Sequence, residues 1–303
     1  MLARHSERLG RLTGHPVPAW FADAMADAPS SHRVDVAGCS IHFLRWGPPE
    51  GTLPGILFLH GGGAHARWWS FIAPFFDNDR PVAALDFSGM GDSGRRTEYG
   101  SQVHVPEMSA VIEAAGLGDG TIIVGHSFGA YMALCHAARH GAQLGGAVMI
   151  DAAILPGTED RDQPRAAYDR PKRHYPDKLD ILSRFRLAPE QPCENHYLLD
   201  HVAEHSVIRE AEGWTWKFDV AARGATHFQE PLGAYLRDMP CDKALIYGAE
   251  SAFMTPEVVA YMKMLLGPNS PVIAVPTAHH HLTVEQPIAF IVALQGILAG
   301  WGS

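Results

Sequence analysis

Cysteine is scarce and scattered. The chain carries four, at Cys39, Cys135, Cys193 and Cys241, with no C-x-x-C pair. That argues against a disulfide scaffold and points to reduced thiols in a cytoplasmic protein. No cluster of lysine and arginine is placed to track a phosphate backbone. The balance runs the other way, with 24 basic against 33 acidic residues and a net charge of −9. Nucleic acid is therefore not an expected partner. No apolar run is long enough to span a bilayer. Met1–Glu7 also lacks the apolar stretch of a signal peptide, so no membrane is expected. Internal repeats and low-complexity tracts are missing too.

What is present is a globular composition. Apolar residues make up 47% of 303 positions, enough to bury a large core. Strand signals begin at Arg33–Val36 and Cys39–Trp46, after an N-terminal extension over residues 1–30. Gly55-Ile56-Leu57-Phe58-Leu59, Val82–Leu85, Thr121–Val124 and Gly146–Ile150 are short continuous apolar runs, the pattern of parallel strands buried on both faces. Helix patterns fall between them, at Trp68–Phe76, Val103–Ala115 and from Ala130 onward. After Asp151 the composition shifts to Pro, Arg, His and Tyr, with helical pieces expected at 177–187 and 194–210. Strands at Lys243–Tyr247 and Pro271–Val275 and helices at Pro256–Leu266 and Pro287–Ala299 restore the alternation. The expected fold class is α/β: a mostly parallel, doubly wound sheet. Its core is residues 1–152 and 231–303, and residues 153–230 form an inserted, aromatic-rich helical cap.

The chemistry gathers at strand ends, where such sheets bind ligands. Gly125-His126-Ser127-Phe128-Gly129 joins an apolar strand to a small-residue helix, the context that makes G-x-S-x-G a nucleophile turn. The turn leaves no room for flanking side chains, hence the glycines. His60-Gly61-Gly62-Gly63 follows one buried strand. Asp86-x-x-Gly89-x-Gly91-x-Ser93 follows another. His279-His280-His281 follows the last, with Glu285-x-Pro287 behind it.

These four motifs, in this order, resemble the α/β-hydrolase family, over about residues 33–299. The resemblance implies Ser127 as nucleophile and His280 as its base, since Glu285-Gln286-Pro287 sets the register among the three histidines. His279 and His281 are then pocket wall or solvated loop. It also implies an oxyanion hole from the backbone amides of Gly62 and Phe128. Asp86, Ser93 and His60 are implied to order their loops. The acid departs from the commonest family pattern. The usual carboxylate position, three residues after Gly248, is Ser251, which cannot carry the charge that stabilises an imidazolium. Asp151, the preferred candidate, and Glu250 are the two substitutes.

Trp68, Trp69, Trp214 and Trp216 are candidates to line an apolar substrate pocket, and Arg170 and Arg173 are weaker candidates to meet a substrate carboxylate. The pairs His136/His140 and His201/His205 have helix spacing but no third ligand, so no metal is expected. The function implied is cofactor-free hydrolysis of a carboxylic ester or lactone of a small apolar or ring-containing molecule. Hydrolysis of a carbon–carbon bond in a diketone and a non-catalytic ligand receptor are the alternatives. A homodimer is compatible with the sequence.

Overall fold

The structure is a computed structural model that describes residues 17–156, 172–224 and 230–301. Arg170, part of the extension and part of the insertion lie outside the described residues. A helix α1 (Ala19–Ala26) precedes strands β1 (Ser30–Val36) and β2 (Cys39–Trp46). Then come β3 (Ile56–Leu59), β4 (Val82–Leu85), α2 (Ser101–Ala114), β5 (Thr121–His126), α3 (Phe128–His140) and β6 (Leu144–Ile150). The inserted segment holds α4 (Lys178–Leu182), α5 (His196–His205), a hairpin of β7 (Val207–Glu210) and β8 (Gly213–Trp216), and α6 (Val220–Gly224). Helix α7 (Leu232–Asp238) leads back to β9 (Asp242–Gly248), α8 (Pro256–Leu266), β10 (Val272–Val275), α9 (Leu282–Glu285) and α10 (Pro287–Trp301).

Eight strands form one sheet in the order β1-β2-β4-β3-β5-β6-β9-β10. The two pairings that involve β2 are antiparallel and the others parallel. Every residue of β3, β4 and β5 is buried, because helices cover both faces. The register sets up the site. Leu59 pairs with Gly125, His126 with Ile150, and Ile150 with Ile246. The carboxyl ends of β3, β5, β6 and β9 therefore finish nearly level, and their loops stand side by side.

The insertion is docked onto the loops after β3 and β4 and onto α9 by backbone and side-chain contacts. Met90 bridges Phe218, and the Asp219 amide donates to the Gly89 carbonyl at 2.6 Å. The Asn195 side-chain amide donates to the Val284 and Glu285 carbonyls at 2.8 and 2.9 Å. His65 Nε2, 3.2 Å from the Val202 carbonyl, ties the loop after β3 to the end of α5.

Local structure departs from the sequence reading in two places. The helix expected over Trp68–Phe76 is two separate 3₁₀ turns, Ala66–Trp69 and Ala73–Phe75. Pro74 has no N–H to continue the first turn's ladder. The first turn is instead fixed at its start by Asp86, whose Oδ1 accepts from the Ala66 amide at 2.6 Å. In the insertion the helices stop early, at Leu182 and His205. The β-branched Val207-Ile208 leaves the helix and pairs with Thr215 and Trp216.

Candidate active site

The loop after β5 is tight enough to dictate its own sequence. A Cβ on Gly125 would lie 2.5 Å from the Gly129 carbonyl carbon, and one on Gly129 2.6 Å from the Leu59 carbonyl oxygen. Only glycine fits either place. Ser127 between them has φ +51°, a left-handed backbone that a serine rarely adopts. Its amide is held by the Ile150 carbonyl at 2.9 Å. Strain of this kind costs of order 1–3 kcal/mol and persists only where surrounding contacts over-determine it. The next residue, Phe128, opens the thirteen-residue helix α3, so the serine sits at a helix N-terminus.

The loop after β10 brings His280 to Asp151. His280 Nδ1 lies 2.8 Å from Asp151 Oδ1, with both side chains buried. An ionised carboxylate only accepts, so Nδ1 carries the proton and Nε2 keeps its lone pair. Asp151 also has a left-handed backbone, φ +45°, which aspartate tolerates better than most residues. The Gly248 amide donates to Asp151 Oδ2 at 2.8 Å, and the Ser251 hydroxyl donates to Oδ1 at 2.7 Å. The carboxylate thus has three donors from two other loops.

His126 joins the serine loop to the histidine loop. Its Nε2 donates to the His280 carbonyl at 2.8 Å, and the two rings lie 4.8 Å apart. A Cβ on Gly61 would come within 2.9 Å of His126 Nδ1 and 3.6 Å of the Ser127 Cβ, so the loop after β3 closes onto the same ring. Burial, helped by nearby His280 and His281, pushes His126 well below the ordinary histidine value. It stays neutral beside His280. Burial does the same to His281, down to about 3.

The remaining candidates separate clearly. Glu250 is more than half exposed, and its Oε2 lies 3.6 Å from His279, not at His280. Its amide is tied to the Ala278 carbonyl, which turns the side chain to the outer side of the loop. Glu285 accepts from both the His279 amide, at 2.7 Å, and His279 Nδ1, at 2.8 Å. That clamp is the physical content of the Glu-x-Pro register. Gly62 is exposed in the turn after Gly61, and Phe128 is buried at the start of α3.

The tryptophans do not act as one group. Trp69 is 1% exposed and stacks on Phe58 at 4.7 Å, so it belongs to the core under the sheet and not to a pocket wall. Trp68 comes within 5.5 Å of the His281 ring. Trp214 lies under the Lys178 ammonium and Trp216 beside Phe185, both contacts within the insertion. Arg173 is exposed. Among the histidine pairs, His136 Nε2 meets the Ser109 hydroxyl at 3.2 Å and His201 Nε2 the Arg67 carbonyl at 3.3 Å.

His126, a variable position of the G-x-S-x-G turn, was given no role in the sequence reading, and two further residues of this site escaped it as contributors. One is Ser251, noted there only as an acid that is missing. The other is Phe253, 45% exposed, with its ring 4.7 Å from His280. An aromatic two residues past that serine was the available signal.

Residues 56–294 match the alpha/beta hydrolase family over most of the chain. The chain belongs to the α/β hydrolase family. It is 25% identical over 282 residues to the esterase Rv0045c of Mycobacterium tuberculosis, covering 89% of each chain. In fold, this α/β hydrolase is similar to an E-2-(acetamidomethylene)succinate hydrolase (TM-score 0.74, 22% identity, 89% of this chain and 99% of that one). It is likewise similar to the thioesterase domain from a curacin biosynthetic pathway (TM-score 0.72, 22% identity, the same coverage). The enzyme is thus a hydrolase with esterase-like relatives. No helix among its described residues is long and apolar enough to cross a membrane.

Proposed function

We propose that this hydrolase cleaves carboxylic esters or lactones of small apolar or ring-containing molecules through an acyl-enzyme. The observation that carries the reading is the 2.8 Å contact of Asp151 Oδ1 with His280 Nδ1. It leaves the other ring nitrogen as a base for a serine held in a strained, helix-capping turn.

Ser127 Oγ attacks the carbonyl carbon while His280 Nε2 takes the hydroxyl proton. The resulting imidazolium is stabilised by Asp151, which keeps its charge throughout. The oxyanion is met by the amides of Phe128 and Gly62, with the α3 N-terminus adding favourable potential. His280 then gives its proton to the departing alkoxide. A water, deprotonated by His280, attacks the acyl carbonyl and releases the acid and Ser127. Neutral His126 beside His280 matters here, because a second positive charge 4.8 Å away would oppose the imidazolium. The insertion acts as a cap over this site. Phe253 and Trp68 supply apolar wall, which supports a small apolar substrate as partner.

Hydrolysis of p-nitrophenyl acetate and butyrate tests the reading. The wild type is expected to turn both over, and Ser127→Ala to lose at least about 10³-fold in kcat while keeping its melting temperature. An active Ser127→Ala enzyme would refute it.

A further inference from the structure

We infer that Ser251 is a positioning residue, one that aims and tunes the Asp151 carboxylate. This rests on the assignment of Ser127, His280 and Asp151 just given, and adds a group to it.

The serine hydroxyl has its orientation fixed from both sides. It accepts from the Phe253 amide at 3.3 Å and donates to Asp151 Oδ1 at 2.7 Å. Its own amide is held by the Gly248 carbonyl at 3.0 Å, within the same turn whose Gly248 amide donates to Asp151 Oδ2. One short turn after β9 thus grips both oxygens of a carboxylate that belongs to β6. Asp151 alone could rotate about its χ angles. With Gly248 on Oδ2 and Ser251 on Oδ1, the lone pair left on Oδ1 is the one that faces His280 Nδ1. Ser251 is 7% exposed and Asp151 1% exposed, so water does not substitute for the hydroxyl readily.

The same bond sets the charge that His280 feels. The hydroxyl and the imidazole share Oδ1, and the hydroxyl withdraws part of the negative charge there. Removing it leaves a more basic carboxylate behind His280. The imidazolium is then favoured in the free enzyme as well as during reaction, while His126 and His281, titratable rings that also face His280, are buried and held neutral, so the base is protonated over a wider pH range. Ser251 also accepts from Phe253, whose ring lies against His280, so one side chain links the aim of the acid to the wall beside the base.

The test is the pH dependence of kcat/KM for p-nitrophenyl butyrate in the wild type, Ser251→Ala and Ser251→Thr, with Ser127→Ala as control. Ser251→Ala is expected to lose about tenfold in kcat with KM within about twofold. Its acid limb should move up by about half a pH unit. Ser251→Thr, which keeps the hydroxyl, should restore both. Wild-type kcat and an unmoved acid limb in Ser251→Ala would overturn the inference, even if the melting temperature drops. If Ser251→Thr does not fold, the Ser251→Ala profile alone decides. An active Ser127→Ala control would instead fail the underlying mechanism, and that failure is visible apart from anything at position 251.

Discussion

Asp151 and Glu250 sit in the loops after two neighbouring parallel strands, β6 and β9, yet they face different histidines. Asp151 turns inward on a left-handed backbone and reaches His280 at 2.8 Å. Glu250 is tied by its amide to Ala278 and turns outward to His279 at 3.6 Å. A carboxylate in roughly the right place is not enough. What distinguishes the two is one backbone torsion and the donors around the carboxylate: Asp151 has three, from Gly248, Ser251 and His280.

The largest effect that could break this contrast is at Asp151. Asp151→Asn should lose on the order of 10⁴ in kcat on p-nitrophenyl butyrate, since a neutral amide neither orients the required tautomer nor stabilises the imidazolium. An Asp151→Asn enzyme within tenfold of wild type would end the distinction.

Next comes a change that should touch folding and not chemistry. Trp69→Ala removes a buried ring stacked on Phe58 and should destabilise by about 3–5 kcal/mol in urea titration. If Trp69→Ala instead raises KM with stability intact, Trp69 belongs to the pocket after all.

The four strand-end motifs were legible because each is forced by local geometry. Glycine at 125 and 129 is required by overlap, and Glu285 marks its register by capping His279. The proposed acid, Asp151, was harder. Its partner lies 129 residues away, and its orientation depends on a positive φ and a serine hydroxyl that no spacing announces. Trp69 was hard to place for a different reason. Residue type reports that a ring will be buried, but not on which side of the sheet, and Trp69 and Trp68 are adjacent yet meet different surroundings. In the insertion, where the sequence reading expected helical pieces, Trp214 and Trp216 alternate with the period of a strand, and the hairpin over them follows it.

The pH dependence of stability sharpens the comparison between base and scaffold. Burial lowers His65 and His136 to about 4 and His281 to about 3, and carries His60 and His126 downward as well. Each folded value lies below the unfolded one, near 6.5. The neutral ring's full stability is therefore present above pH 6.5. It is lost as pH falls toward about 4, because the unfolded chain binds protons that the folded one refuses. Each such proton costs about 1.4 kcal/mol per pH unit. The urea midpoint should drop steeply from pH 6.5 to 4.5; a flat midpoint would mean these rings are not buried and neutral.

Phe253→Ala should raise KM for the butyrate ester by about three- to tenfold with a smaller change in kcat, as expected for apolar wall. A large loss in kcat at unchanged KM would place Phe253 in the chemistry instead. The smallest effect belongs to Glu250. Glu250→Gln should stay within about twofold of wild type in kcat and KM, as an exposed charge beside His279 should. A loss comparable to that of Asp151→Asn would put the acid on the other loop.

The most direct test of the whole account is covalent. Wild-type enzyme treated with a fluorophosphonate and mapped by peptide mass spectrometry should carry one adduct, on Ser127, formed much more slowly in His280→Ala. No adduct, or an adduct on any other residue, would contradict it.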